Sequence, residues 1–251
     1  MTMTFAYEQL QVYQRALAFC GGVCTLTKNW ESWHAIADHL PRAAESVVVN
    51  LAESCAVFSQ AKRNVLDYSL GSTLECAACL DIAGIKTLLD SATVLRHKKD
   101  LAEVFRMMVG LRSSWGRNAL REEPVPYASE PRTVSDAADF HHEALDVYRV
   151  ALDVMVWFCA NVANANLPAN LLRRLDASAT SILLNLAEGN GRFSELDHRR
   201  FLDVAYRSAV KMAAQLDLCV QMQLICAADA GTGKGLLVRV ASMTVRMAQG
   251  K

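Results

Sequence analysis

Glycine and proline are scarce in this sequence, with 12 and 5 among 251 residues. Their scarcity argues against a turn-rich β-sandwich and favours helices. An excess of one charge is also missing, because 26 Lys and Arg residues balance 26 Asp and Glu residues. The chain therefore has no long-range field of one sign to hold nucleic acid or an anionic membrane, and any such binding has to be local.

Long apolar runs are missing as well. The most apolar uninterrupted stretch, residues 154–160, has seven residues, whereas a helix needs about 20 to cross a bilayer. The N-terminal segment lacks the basic start and apolar stretch of a secretory signal, which predicts a cytoplasmic protein. The eight cysteines are then expected to be reduced thiols that fill gaps in the core, and no metal or cofactor is predicted.

An internal repeat is the most informative feature that is present. Residues 10–17 and 145–152 are identical at five of eight positions, with an offset of 135. Residues 44–53 and 179–188 are identical at six of ten positions with the same offset, which becomes 136 after one inserted residue. A nearly constant offset over this length indicates a tandem duplication.

A proline-rich segment separates the two copies. Residues 121–132 hold three of the five prolines and show no apolar period, which predicts an extended, semi-rigid spacer. The predicted organisation is copy one over residues 1–119, a linker over 120–138 and copy two over 139–251.

The apolar residues of each copy follow a helical period. One stripe recurs at the same place in both copies: Leu10, Tyr13, Leu17, Cys20 and Cys24, then Leu145, Tyr148, Leu152, Met155 and Cys159. The pattern predicts four helices per copy, over residues 6–28, 33–57, 61–91, 97–117, 139–163, 169–189, 194–228 and 234–249. Pro41 is expected to kink the second helix or to mark its start. The predicted fold is all-α, with two tandem antiparallel four-helix bundles joined by the linker.

Each copy carries three short motifs on its first three helices. In copy one they are Leu10 to Ala16, Arg42 to Ser46 with Asn50 to Glu53, and Leu66 with Leu70 to Ser72 and Glu75. In copy two they are Leu145 to Ala151, Ser181 with Asn185 to Gly189 and Arg192, and Phe201-Leu202 with Ala205 and Ser208. These motifs resemble the four-helix-bundle family encoded by intervening sequences of bacterial 23S ribosomal RNA genes, a relative of the accessory variability determinant of diversity-generating retroelements.

The resemblance implies a cytoplasmic bundle that assembles into rings, usually of five. In the retroelement branch it also implies binding to a reverse transcriptase and to nucleic acid. Because each chain here carries two units, we expect a pseudo-dimer or a ring with an even number of units.

Two polar pairs lie on the second helix of each copy, Asn50 with Glu53 and Asn185 with Glu188. Polar groups beside a core need partners. Hydrogen bonds between helices, for example to serines of the third helix, are the favoured interpretation, and contact with a partner or ligand is the alternative.

A basic cluster in copy two is the candidate binding surface. Its residues share the third helix or the start of the second: Arg173, Arg174, Arg192, Arg199, Arg200, Arg207 and Lys211. Those on the third helix fall within an arc of about 120°. They could contact phosphates or an acidic partner, or form an ordinary solvated helix face.

Residues 227–235 contain a Gly-Lys pair but lack the spacing and the preceding strand of a phosphate-binding loop. Asp229 to Gly235 is predicted instead to be the turn between the last two helices. No motif indicates an enzyme. The favoured function is a non-enzymatic interaction module, an adaptor for nucleic acid or for a nucleic-acid enzyme such as a reverse transcriptase. The alternative is a structural oligomer or protein-partner scaffold that binds no nucleic acid.

Overall fold

A computed structural model describes residues 5–57, 61–117, 140–192 and 194–250. Within these ranges the chain forms eight α-helices and two short 3-10 helices, and no strand. The α-helices are α1 (Gln11–Thr27), α2 (Ile36–Ala56), α3 (Ala61–Ile85), α4 (Ser91–Arg117), α5 (Asp146–Asn161), α6 (Ala169–Asn190), α7 (Glu195–Gln221) and α8 (Ala227–Ala248). The 3-10 helices, Ala6–Gln9 and His141–Ala144, precede α1 and α5.

The helices pack as two four-helix bundles, as the sequence predicts. In copy one, α2 lies against α1 and α3, and α4 closes the bundle against α3 and α1. In copy two, α6, α5, α7 and α8 make the corresponding contacts. The predicted linker, residues 120–138, lies outside the described residues.

The apolar stripe that marks α1 in the sequence faces the core of its bundle only in part, through the half-buried Leu10, Tyr13 and Cys20. The core side of α1 consists of Val12, Ala16, Phe19 and Val23, which are buried, whereas Leu17 and Cys24 of the predicted stripe are exposed. Helix α1 therefore has two apolar sides. In α5 the counterparts of Tyr13 and Cys20 are Tyr148 and Met155, and both are buried. The side of α5 that carries Tyr148 is therefore covered, by the contact described below.

Several predicted helix boundaries are wrong, those between the last two helices most clearly. The last two helices are separated at residues 222–226, not at Asp229 to Gly235, and α8 begins at Ala227. The Cys226 sulfur accepts a hydrogen bond from the backbone N–H of Asp229 at 3.3 Å and caps the new helix. Gly233 lies inside α8, where the Trp157 ring packs against it and a Cβ would come within 2.5 Å of the ring.

The start of α4 was also predicted too late. It begins at Ser91, where the Asp90 carboxylate accepts a hydrogen bond from the Thr93 N–H at 2.9 Å. Pro41 lies within α2, which begins five residues earlier at Ile36.

None of the eight cysteines forms a disulfide. Cys76 and Cys79 are buried in the core of copy one. Among the described helices, none combines the length and the apolar character needed to span a bilayer.

Candidate interaction site

The two bundles pack against each other, and this contact brings together several buried charged and polar groups. Helix α3 of copy one lies against α6 and α5 of copy two. We call the copy-one side the α3 surface (Tyr68, Gly71, Leu74, Glu75, Asp81, Ile82, Lys86 and Lys98). We call the copy-two side the α6 surface (Phe140, Glu143, Tyr148, Leu152, Asp176, Thr180, Leu184, Glu188 and Arg192).

A buried ion pair crosses the contact at one end. Lys86 on the α3 surface pairs with Asp176 on the α6 surface, and their side chains are 2% and 0% exposed. The second carboxylate oxygen of Asp176 accepts a hydrogen bond from the backbone N–H of Ala35, at the start of α2, at 2.7 Å. A charge taken out of water is tolerated only with such partners. The pair therefore ties α2 and α3 of copy one to α6 of copy two.

A second polar cluster lies further along the contact. The Lys98 ammonium lies 2.5 Å from a carboxylate oxygen of Asp81 and 2.5 Å from one of Glu143. The Tyr148 hydroxyl donates a hydrogen bond to Asp81 at 2.9 Å. Burial alone would lower the pKa of Lys98, but the two carboxylates raise it above its usual value. The lysine therefore stays charged and joins one carboxylate from each copy.

The same cluster contains the oxygen and nitrogen atoms that a metal ion would use. Ligand atoms of Asp81, His142 and Glu143 lie within 4.8 Å of one another. Lys98 already supplies positive charge to both carboxylates, so the arrangement is that of a salt-bridge cluster.

His142 is buried at this contact without a polar partner. Its ring packs edge-on against Tyr148, with ring centroids 4.6 Å apart, and among the described residues neither ring nitrogen has a hydrogen-bond partner. Burial lowers the pKa of His142 to about 3, with the nearby Lys98 acting in the same direction. The imidazole is therefore neutral in the folded protein at ordinary pH.

Arg192 and Glu188 form the other end of the contact. The Arg192 guanidinium pairs with Glu188 and lies over the ring of Tyr68 from copy one, 5.2 Å from its centroid. Gly71 leaves room for it, since a Cβ there would be 3.1 Å from the guanidinium. Burial raises the pKa of Glu188. The structure thus places two sequence-selected residues, Arg192 and Glu188, inside the contact.

The selected asparagines belong to hydrogen-bond chains within each bundle. Asn50 donates to the Ser46 hydroxyl at 2.9 Å, and that hydroxyl lies 2.7 Å from the Ser72 hydroxyl on α3. Copy two repeats the chain through Asn185, Ser181 and Ser208. The expected link from asparagine to the third helix exists, but a serine of the second helix mediates it. Glu53, unlike Glu188, is exposed.

The remaining basic candidates are exposed on copy two. Arg199 and Arg207 pair with Glu195 and Asp203, one turn earlier on α7. Four others make no ion pair with any described residue: Arg173, Arg174, Arg200 and Lys211.

Sequence reasoning missed Lys86, Asp176, Lys98 and the contact itself. One signal was available for Lys98. Its pair with Asp81 recurs at offset 136 as Lys234 with Asp217, 2.6 Å apart. Lys86 and Asp176 gave no such signal, because their counterparts are Met222 and Pro41.

Comparison with known proteins identifies the unit that is duplicated. The family model described as 23S rRNA-intervening sequence protein matches the chain twice, over residues 8–110 and 143–246. No curated protein and no solved structure gives a significant match. The two matches cover more than half of the chain and fall on the two bundles. The chain therefore belongs to the 23S rRNA-intervening sequence protein family and carries two tandem copies of the family unit.

Proposed function

We propose that the protein is a non-enzymatic scaffold that assembles head to tail with other copies of itself, through the contact that joins its own two bundles. The observation that carries this proposal is the asymmetry of that contact. Copy one contributes its α3 surface and copy two its α6 surface. Duplication means that each surface exists a second time, and the second examples are exposed.

The first exposed example is on copy one. We call it the α2 surface (Phe5, Glu8, Tyr13, Leu17, Glu45, Val49, Glu53 and Val57), the counterpart of the α6 surface at offset 135. Phe5, Leu17 and Val49 are exposed large apolar residues there. Their counterparts Phe140 and Leu184 are buried in the internal contact.

The second exposed example is on copy two. We call it the α7 surface (Val204, Arg207, Val210, Lys211, Asp217, Leu218, Met222 and Lys234), the counterpart of the α3 surface at offset 136. Val210, Leu218 and Met222 are exposed, whereas the corresponding Leu74 and Ile82 are buried. Grouped exposed apolar residues of this kind are typical of protein interaction sites.

The polar cluster is repeated in the same way. Lys234 and Asp217 on the α7 surface are 39% and 61% exposed, against 14% and 16% for Lys98 and Asp81. The groups that complete the internal cluster are Glu143 and Tyr148, and their counterparts on the α2 surface are Glu8 and Tyr13. A second chain can therefore supply the missing carboxylate and hydroxyl.

A contact between two different surfaces is heterologous, and repeating it gives a closed ring or an open filament. Because each chain contributes two bundles, a ring of whole chains contains an even number of bundles. Each junction between chains adds binding energy that a single chain does not have.

Light scattering of the purified protein tests this proposal. The wild type is expected to form particles of two or more chains, with a mass well above the 27.6 kDa of one chain. Val210→Asp with Leu218→Asp places two charges on the α7 surface and is expected to give single chains, because an unpaired charge in a buried contact is costly. Both residues are exposed, so folding should persist, as circular dichroism would check.

The matched control adds the same two charges elsewhere on copy two. Val156 and Leu196 are also exposed apolar residues, and Val156→Asp with Leu196→Asp should leave the particle mass unchanged. A wild type that stays a single chain at all concentrations would refute the proposal.

An adaptor for nucleic acid, or for a nucleic-acid enzyme such as a reverse transcriptase, is the second candidate function. It is favoured by the four exposed cations without a described ion-pair partner, Arg173, Arg174, Arg200 and Lys211. Binding of RNA or DNA should then weaken steeply as salt rises. In a gel-shift titration, Arg173→Glu with Arg174→Glu should weaken binding without changing the α7 surface. Wild-type binding that is absent at low salt would exclude this candidate.

A further inference from the structure

The charged residues of the α2 and α7 surfaces differ from those of the internal contact. This difference determines which surface each of them binds. This inference rests on the proposed head-to-tail assembly and concerns which bundle faces which. At the Arg192 end of the internal contact the cation is on the α6 surface, where Arg192 lies beside Gly71 and Tyr68. At the corresponding end of the exposed surfaces the cations are on the other side, on the α7 surface.

The α7 surface is basic where the α3 surface is not. Arg207 occupies the position of Gly71, and Lys211 occupies that of Glu75. Both side chains are exposed, and Lys211 makes no ion pair with a described residue. Arg207 is paired with Asp203, but an exposed pair within one helix contributes little to stability. Both cations are therefore free to meet a partner.

The α2 surface has become acidic at the matching positions. Glu45 replaces the buried Thr180, Glu53 keeps the carboxylate of Glu188, and Val57 replaces Arg192. Glu45, Val49 and Glu53 follow one another at intervals of four residues along α2, and all three are exposed. This spacing places them on one side of the helix, with the apolar Val49 between two carboxylates.

We propose that Arg207 and Lys211 of one chain bind Glu45 and Glu53 of the next, and that these ion pairs select the α2 surface as the partner of the α7 surface. The selection follows from the pairings that the charges disfavour. If two α7 surfaces met, Arg207 and Lys211 of one chain would face the same cations of the other. If two α2 surfaces met, Glu45 and Glu53 of one chain would face the same carboxylates of the other. Like charges across a contact weaken it.

Charge reversal tests the pairing directly. One variant carries Glu45→Lys with Glu53→Lys, and the other carries Arg207→Glu with Lys211→Glu. Each alone is expected to raise the dissociation constant of the assembly by at least about 100-fold, because each creates like charges across the contact. Sedimentation velocity over a concentration series measures this.

The two variants mixed in equal amounts are expected to assemble again. The basic α2 surface of the first variant then meets the acidic α7 surface of the second, and the two unchanged surfaces also remain complementary. A chain carrying all four reversals should likewise assemble by itself. Arg173→Glu with Arg174→Glu is the control, because it removes two exposed cations of α6 that lie on neither the α2 nor the α7 surface, and it should have no effect.

The outcomes separate this inference from the proposed function. If the wild type assembles and Val210→Asp with Leu218→Asp disperses it, but the charge reversals have no effect, the ion pairs are refuted while the scaffold stands. Reversals that disperse the assembly without rescue on mixing also refute the pairing. A wild type that never assembles refutes the scaffold itself.

Discussion

Replacing Lys86 by Met is expected to lower the free energy of unfolding by about 3–5 kcal/mol, the cost of removing one partner from a buried ion pair. The Asp176 carboxylate would remain fully buried, and among the described residues the Ala35 N–H would be its remaining hydrogen-bond donor. Methionine is a fair replacement in volume and is the residue that copy two has at the corresponding position, Met222. Urea denaturation at neutral pH, followed by circular dichroism, measures the change.

Two further variants test whether the loss of stability comes from the unpaired charge of Asp176. Lys99→Met removes an exposed lysine from α4 and should change the free energy of unfolding by less than about 0.5 kcal/mol. Adding Asp176→Asn to Lys86→Met removes the uncompensated charge and should recover part of the stability. A loss below about 1 kcal/mol for Lys86→Met would mean that the ion pair is not buried as described.

Replacing His142 by Phe is expected to remove an acid-dependent loss of stability. The pKa of His142 is lowered to about 3 in the folded protein, from an ordinary value of 6.5. Between these pH values the unfolded chain binds a proton that the folded chain does not. The free energy of unfolding therefore falls as the pH is lowered from 6.5 towards 3, by up to about 1.4 kcal/mol per pH unit. Phenylalanine keeps the ring between Phe140 and Tyr148 and cannot bind the proton.

The measurement is the free energy of unfolding of wild type and His142→Phe at several values between pH 7 and pH 4. The two curves should diverge as the pH falls, with the variant losing less stability. His141→Phe provides the control, because His141 is the exposed neighbour. Its removal should leave the pH dependence of the free energy of unfolding as it is in the wild type. Parallel curves for wild type and His142→Phe would show that the imidazole is not held neutral.

The sequence was sufficient to predict two helical bundles, because a nearly constant offset and a helical period are both local, countable patterns. It was not sufficient to assign the sides of the helices. Leu10, Tyr13 and Leu17 have the spacing of a core stripe, and so do Val12, Ala16 and Phe19. Periodicity identifies an apolar side, but it does not distinguish the core of a bundle from a contact between bundles.

The polar groups at the contact were predictable to different degrees. Asp81 and Lys98 recur in copy two as Asp217 and Lys234. Comparing the two copies is therefore enough to predict that these residues pair. Lys86 and Asp176 are far apart in the sequence, and neither has a charged counterpart in the other copy. Only the packing of α3 on α6 brings them together. The members of the candidate basic cluster do not share one surface, because Arg192 lies in the internal contact, whereas Arg207 and Lys211 are exposed on α7.

A photo-cross-linking amino acid in place of Tyr13 tests the head-to-tail contact most directly. Tyr13 is the counterpart of Tyr148, which contacts Asp81 inside the chain. Mixing isotope-labelled and unlabelled chains separates cross-links between chains from those within one. The account predicts cross-links between chains, from position 13 to the segment around Asp217 and Lys234. Cross-links that stay within one chain, or that join position 13 to any other surface of a second chain, would contradict it.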